Sequence, residues 1–343
     1  MYMRKPASFF IVGLLLCIFI ATVPASAHKT DNLNAESTVR SLTNSVASGE
    51  QPLEKINLVW QHDNLPSVDL STLPKVPGVN VVSPCWYVIG NEFGNLNVKA
   101  VEGYVARAHA KGYQVWPLIT NGFDPDRTKK LLQDDNAKHH VIQQLLTEAE
   151  THGFDGINLD FENIYQEDKD ELTKFVKQIR KATKKRKLTL SIDVTMPEGS
   201  PNWSLCFDRK KLADQVDYVI LMAYDQYSGG SPMAGPTASY NWDKTGLQAT
   251  LLEVPANKLI MGIPLYMRLW HFDAKEKRFR AKTLSMPQAA KIHEEKSTDE
   301  TYRCLWLEKE KMLYVSYMEK DVPYCFWQEN EQSLRYKAEL VNT

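Results

Sequence analysis

Three polar side chains at alternate positions form the segment of this chain best suited to chemistry: Asn158, Asp160 and Glu162. Apolar residues lie between them, and successive side chains of a β-strand point to opposite faces. All three polar groups therefore point to one spot from an otherwise buried strand. Because ionised carboxylates are costly to bury without compensation, we predict a paired-carboxylate catalytic site. Glu162 would be its general acid, with a pKa raised by burial and by the neighbouring carboxylate, and Asp160 would hold a charge or position a substrate group.

The start of this segment, Asp155 and Gly156, leaves alternatives open. Asp155 either belongs to the chemistry or has a structural role where the strand begins. An accidental acidic pair on an exposed strand face is the competing explanation for the whole pattern. The flanking apolar residues and the glycine at the start of the strand favour the catalytic interpretation.

The segment resembles the D-G-x-D-x-D-x-E motif of glycoside hydrolase family 18, the chitinase-like retaining hydrolases. Asp155, Gly156, Asp160 and Glu162 all fall in register with that motif, and Asn158 stands where chitinases usually have the middle aspartate. The reading D-G-I-N-L-D-F-E-N is similar to the spore-cortex and peptidoglycan N-acetylglucosaminidase branch of the family. We hypothesise that an amide at position 158 lowers the like-charge cost near Asp160 and so shifts the pH optimum.

The resemblance continues in later segments and implies roles for further residues. The stretch from Met222 to Asp225 matches the family motif M-x-Y-D, in which the tyrosine, here Tyr224, binds the acetamido group of the substrate. Trp327 matches the tryptophan of the last strand that forms the floor of the −1 subsite. The substrate-binding residues expected from these matches and from polar groups at strand ends are Asn158, Asp225, Trp327, Asn121, Tyr266, Arg268 and Met222.

The family resemblance implies a substrate-assisted mechanism, which is an exception among retaining glycosidases. The 2-acetamido carbonyl oxygen would attack the anomeric carbon while Glu162 protonates the leaving oxygen and later activates water. Asp160 and Tyr224 would hold the acetamido group, so the partner is a carbohydrate with 2-acetamido sugars, from peptidoglycan or chitin. A chitinase or other endo-acting glycan hydrolase, a spore-wall structural role and a silent carbohydrate-binding protein remain alternatives. No cofactor is expected.

Apolar strand-like runs alternate with helical patterns from residue 55 onward, which indicates parallel βα units. Eight such strands predict a (β/α)8 TIM barrel over residues 55–343, with functional groups at the carboxyl ends of the strands. A charged stretch at about 271–322 breaks the alternation and predicts a short insertion between strands seven and eight. The predicted strands are 56–61, 79–89, 114–120, 153–163, 188–195, 216–224, 259–265 and 324–328.

The N-terminus has a basic start, an apolar stretch and the small residues Ala25-Ser26-Ala27. This pattern predicts a secretory signal peptide, residues 1–27, cleaved after Ala27, with an uncleaved anchor as the alternative. A polar linker, residues 28–54, would follow. The expected location is therefore secreted or cell-wall associated. A net charge of −1 gives no reason to expect nucleic-acid or membrane-surface partners, and we expect a monomer.

The cysteines and histidines of the sequence do not indicate a metal site. The cysteines of the mature chain allow three disulfide pairings, but their wide and irregular spacing is unlike a disulfide framework. There is no CxxC or HExxH motif. His139 and His140 are interpreted as a solvated helix face, and the basic run 184–187 as the end of a helix. The four cysteines are Cys85, Cys206, Cys304 and Cys325.

Overall fold

The computed structural model describes residues 55–62 and 69–342, which form a curled parallel sheet and a separate antiparallel sheet. The predicted signal peptide and most of the linker lie outside the described residues. Within the described ranges, the helices are too short or too polar to cross a lipid bilayer.

The parallel sheet is the expected barrel sheet. Its strands follow one another in the order β1-β2-β5-β6-β7-β8-β9, while β3 and β4 pair with β2 at its two ends. This arrangement, with helices in the connections from β2 onward, is the architecture of the predicted (β/α)8 class. The bounds are β1 Leu58–Gln61, β2 Val81–Ile89, β3 Leu96–Val98, β4 Gln114–Val115, β5 Leu118–Thr120, β6 Gly156–Asp160, β7 Thr189–Thr195, β8 Tyr218–Met222 and β9 Leu259–Gly262.

The barrel helices begin and end at residues that cap them. For example, the Asp134 side chain accepts hydrogen bonds from the first turn of α3, and Gly153 ends that helix with φ 73°, as a left-handed C-terminal glycine does. Helix α4 buries a stripe at helical spacing, and its basic end is the predicted run at 184–187. His139 and His140 are exposed on α3, as predicted. The bounds are α1 Tyr104–Ala110, α2 Pro125–Gln133, α3 Asp135–His152, α4 Lys169–Lys185, α5 Arg209–Ala213 and α6 Tyr240–Leu251.

Strand β6, which carries the acidic motif, is buried along its whole length. Its first residue must be glycine, because a Cβ on Gly156 would lie 2.7 Å from the Trp116 ring and 2.8 Å from the Thr189 carbonyl oxygen. The Asp155 carboxylate accepts a 2.7 Å hydrogen bond from the Val115 backbone N–H and lies 2.8 Å from His109 Nε2. These contacts favour the structural alternative for Asp155, at the start of the strand.

The second sheet is antiparallel, with the order β11-β10-β14-β13-β12, and contains most of the predicted insertion. It has its own apolar core, built around Met267, Val315 and Phe326. Helix α7 packs against β11. The bounds are β10 Tyr266–Asp273, β11 Arg278–Ser285, α7 Met286–Lys296, β12 Arg303–Leu307, β13 Met312–Glu319, β14 Val322–Gln328 and α8 Glu331–Leu340.

The predicted eighth barrel strand, 324–328, is wrong in its position. It lies within β14, which pairs antiparallel with β13 and β10 instead of joining the barrel. The reason is local, since Lys320 and Asp321 both have positive φ (50° and 60°) and form a two-residue hairpin loop between β13 and β14. Such loops join adjacent antiparallel strands. Among the described residues, β1 and β9 therefore end the parallel order, and a cavity lies between them, lined by Ile56, Asn57, Leu58, Trp60, Ile220, Ile260, Met261, Gly262, Ile263 and Leu265.

Candidate active site

The two predicted catalytic carboxyl groups meet at the carboxyl end of β6. The carboxyl groups of Asp160 and Glu162 are close enough to shift each other's pKa, and two carboxyl groups that share a site do not ionise together readily. Burial raises the pKa of Asp160 to about 7. Burial raises the pKa of Glu162 well above its usual range, and the charges of Asp160, Asp193 and Asp225 add to that effect. The pair therefore retains a proton near neutral pH, as a general acid must.

Asn121 holds the backbone of Glu162 in place. Its Nδ2 donates to the Glu162 carbonyl oxygen at 2.7 Å and to Thr128 Oγ1 at 2.9 Å. Its Oδ1 accepts from the backbone N–H groups of Glu162 at 3.1 Å and Phe123 at 3.2 Å. An amide offers two donors and two acceptor positions, so this one is fully used. These contacts occupy the amide that was predicted to bind substrate and place Asn121 against the backbone of Glu162.

Asn158 lies completely inside the barrel, below the carboxyl pair. Its Oδ1 accepts from Trp60 Nε1 at 2.9 Å and from Ser83 Oγ at 3.3 Å. Its Nδ2 donates to Asp193 Oδ1 at 2.7 Å and to Ser191 Oγ at 3.1 Å. All four hydrogen-bonding positions of this amide are used within the protein. None is left for the contact with substrate that the sequence predicted for Asn158.

Tyr224 follows β8 and faces the carboxyl pair. Its hydroxyl is buried without a hydrogen-bond partner. Burial, followed by the charges of Asp193 and Glu162, raises the pKa of Tyr224 well above its usual value, so the phenol stays protonated and able to donate. Its ring lies edge-on to Trp60 and Tyr266, with centroid distances of 6.2 and 6.3 Å. Met222, at the end of β8, is buried.

Asp225 links the barrel to the antiparallel sheet. Its backbone has φ 59°, and its Oδ1 accepts from Tyr266 Oη and from an Arg268 guanidinium N–H, both at 2.8 Å. The guanidinium also lies 5.0 Å from the centre of the Tyr266 ring. The three predicted binding residues are therefore brought together, and they hold one another at the carboxyl end of β8.

Trp327 lies in the antiparallel sheet and not on a barrel strand. It pairs with Tyr314 across β13 and β14, and the two rings pack at a centroid distance of 5.0 Å.

The sequence interpretation missed two residues, Trp60 and Asp193, whose side chains are hydrogen-bonded to Asn158. The alternation of polar residues at Ser191 and Asp193 is the same signal that marked β6, and it was available in the sequence.

Two buried polar atoms of the site lack a partner: Asp160 Oδ1, which accepts, and the Tyr224 hydroxyl, which donates. Buried polar groups are nearly always hydrogen-bonded, so this pair suits a ligand with one donor and one acceptor. No cluster of three or more histidine, cysteine or acidic residues in the described ranges could hold a metal ion. The four cysteines of those ranges are unbridged.

Comparison with known proteins places these residues in a family context. The model of glycosyl hydrolases family 18 matches residues 91–343. The glycosylase YvbX of Bacillus subtilis is 30% identical over 250 residues, which are 68% of this chain and 69% of that protein. The cortical fragment-lytic enzyme of Bacillus subtilis is 27% identical over 197 residues, covering 54% of this chain and less than half, 44%, of the enzyme.

The fold is also found in solved structures. The C-terminal domain of a putative chitinase from Desulfitobacterium hafniense superposes with a TM-score of 0.73 at 22% identity, covering 84% of this chain and 90% of that domain. That likeness concerns the fold, whereas the family match includes the acidic strand and the Tyr224 segment. The chain belongs to glycosyl hydrolase family 18 and is a glycosidase.

Proposed function

We propose that the protein is an exported N-acetylglucosaminidase that cleaves β-linked N-acetylglucosamine in peptidoglycan or its fragments. The proposal combines the family membership with the chemistry of the site. It includes retention of configuration through participation of the substrate's own acetamido group.

The unpartnered atoms of the site carry this proposal. A secondary amide presents one N–H donor and one carbonyl acceptor. Asp160 Oδ1 would accept from the N–H of a 2-acetamido group, and the Tyr224 hydroxyl would donate to its carbonyl oxygen. Either buried atom left without a partner costs about 1–3 kcal/mol, and the amide of a 2-acetamido group offers a partner to both.

The reaction follows from this pose. The acetamido carbonyl oxygen attacks the anomeric carbon, the bond to the leaving oxygen breaks, and Glu162 transfers its proton to that oxygen. The product on the sugar is an oxazolinium ion, whose positive charge the Asp160 carboxylate stabilises. Glu162, now a carboxylate, removes a proton from water as the water attacks the anomeric carbon. This attack opens the oxazolinium ring and retains the configuration of the sugar. Asp225 is a poor candidate for a separate nucleophile, because Tyr266 and Arg268 already engage its Oδ1.

Peptidoglycan is favoured over chitin by the sequence relatives. Among them is a cortical fragment-lytic enzyme, and the motif with Asn158 resembles that branch. Export rests on the predicted signal peptide.

Product analysis tests the proposal. The protein without residues 1–27 is incubated with purified peptidoglycan and, separately, with chitin oligosaccharides, and the products are identified by mass spectrometry. We expect new reducing-end N-acetylglucosamine from peptidoglycan, reduced by about 10²–10⁴-fold in Glu162→Gln, the usual range for loss of a general acid. Cleavage of chitin oligosaccharides alone would move the protein to the chitinases. Binding without cleavage of either substrate would support a carbohydrate-binding protein.

A further inference from the structure

Asp193 is a buried carboxyl group on the strand next to β6, at the position after Ile192, which pairs with Leu159. It lies on β7, is 1% exposed, and accepts the 2.7 Å hydrogen bond from Asn158 Nδ2. Asp160 at the end of β6, Glu162 two residues beyond it and Tyr224 after β8 are each coupled electrostatically to Asp193. Asp193 is thus the third carboxyl group of the cluster.

The orientation of Asn158 shows that the contact with Asp193 is built in. An indole N–H can only donate, so the Asn158 atom facing Trp60 must be the carbonyl oxygen. The amide nitrogen is then directed at Ser191 and Asp193. Asn158 therefore joins β1 and β2 on one side to β7 on the other, and Asp193 is the only ionisable group among its four partners.

The position of Asp193 is unfavourable for stability. No lysine or arginine in the described part of the chain forms an ion pair with Asp193, Asp160 or Glu162. A buried charge without a partner is costly, and an uncharged group of similar shape would be better tolerated. Unfavourable carboxyl groups of this kind are concentrated at functional sites, where they adjust the charge of neighbouring groups.

We propose that Asp193 is a positioning residue of the active site: from β7 it fixes the Asn158 amide and adds a third carboxyl group whose ionisation is tied to that of the Asp160–Glu162 pair. This inference rests on the proposed function. Asp193 touches no substrate atom. Because neighbouring carboxyl groups in a buried site do not all ionise together, the third carboxyl group helps Glu162 to keep the proton that it gives to the leaving oxygen. The carboxyl group missing at position 158 is thus replaced from the neighbouring strand.

The first test is the pH dependence of kcat/KM for Asp193→Asn on peptidoglycan fragments and on a fluorogenic N-acetylated chitobioside. Asparagine can still accept from Asn158 Nδ2, so the hydrogen bond is kept and only the charge is removed. We expect the basic limb, which reports the acid of the free enzyme, to move to lower pH by about one unit, a usual size for loss of a neighbouring charge. Ser191→Ala removes the other group that accepts from Asn158 Nδ2, without a change of charge. The basic limb of its pH profile should therefore stay at the wild-type pH.

The second test exchanges the two side chains. In the double variant Asn158→Asp with Asp193→Asn, the amide at position 193 donates to the carboxylate at position 158, so the hydrogen bond and the number of carboxyl groups are restored. We expect the basic limb to return to its wild-type pH. A packing role predicts no such return, since the exchange then combines two unfavourable substitutions.

A third measurement needs no turnover. Burial and the charge of Asp160 raise the pKa of Asp193 well above its usual value, so wild-type stability falls as the pH rises through the raised pKa. The difference in melting temperature between Asp193→Asn and wild type should therefore grow in favour of the variant from pH 4 to pH 8.

The outcomes separate the two proposals. If the wild type cleaves a substrate but Asp193→Asn has the same basic limb in its pH profile, the proposed role of Asp193 is overturned. The proposed function is unaffected by that result. If the wild type cleaves neither substrate, the proposed function fails. The stability difference then decides on Asp193: a pH-independent difference overturns the charge coupling, and a growing one supports it.

Discussion

Two buried clusters of acidic groups differ in whether a buried cation accompanies them. In the barrel, Asp160, Glu162 and Asp193 lie together without an ion-paired cation in the described residues. Between α6, the end of β14 and α8, the completely buried Lys337 contacts Glu329 and lies 3.4 Å from Asp243 Oδ2. We refer to Lys337, Glu329 and Asp243 as the lysine cluster. One cluster is therefore arranged to keep protons and the other to hold elements together.

The lysine cluster connects three parts of the chain. Lys337 Nζ on α8 also donates to the Ala238 carbonyl oxygen at 2.6 Å, and Ser333 Oγ donates to Glu329 Oε2 at 2.7 Å. Burial raises the pKa of Asp243 to about 7, although the charge of Lys337 lowers it. The two carboxyl groups of the lysine cluster thus share one buried cation. The barrel cluster lacks such balance and holds protons instead.

Removal of the cation should give the largest effect on stability. Lys337→Met leaves Glu329 buried without its partner, and breaking a buried pair in this way costs about 3–5 kcal/mol. Chemical denaturation measures the loss. Lys337→Met combined with Glu329→Gln removes both charges and should recover most of it, while both variants keep the barrel carboxyl groups and their pH profile. Equal stability of wild type and Lys337→Met would remove the distinction between the clusters.

The pH dependence of stability gives a smaller effect with a defined sign. Because the folded-state pKa of Asp243 is raised from 3.8 to about 7, its contribution to stability is fully present below about pH 4 and is lost as the pH rises to about 7. At 1.36 kcal/mol per pKa unit, this loss is at most about 4 kcal/mol. Asp243→Asn should flatten the curve of unfolding free energy between pH 5 and pH 8, and an unchanged slope would contradict the assignment.

The sequence was sufficient for features that repeat locally. Alternating polarity located β6, and the helical spacing of Leu172, Phe175, Val176 and Ile179 located α4. The carboxyl ends of parallel strands brought Asp225 to the site. These patterns depend on neighbours within a few residues, so they are readable without the fold.

The features that the sequence did not reveal depend on distant partners. The amide of Asn121 is used by a backbone 41 residues away, and that of Asn158 by side chains up to 98 residues away. A short strand such as β14 has the same alternation in either sheet, and its partners were decided by the hairpin at Lys320 and Asp321. Side-chain type alone does not show which hydrogen-bonding positions the protein itself will use.

The smallest expected effect distinguishes the two candidate tryptophans of the site. Trp327→Phe keeps an aromatic ring against Tyr314, and since β14 lies outside the barrel sheet we expect kcat/KM to change less than about twofold, a difference of under about 0.5 kcal/mol. Trp60→Phe is the matched variant, because it also keeps a ring but removes the indole N–H that fixes Asn158. Its loss should be larger, about fivefold to thirtyfold, the equivalent of one hydrogen bond of about 1–2 kcal/mol. A large loss in Trp327→Phe with little change in Trp60→Phe would restore the role predicted from the sequence and would place the end of β14 at the substrate.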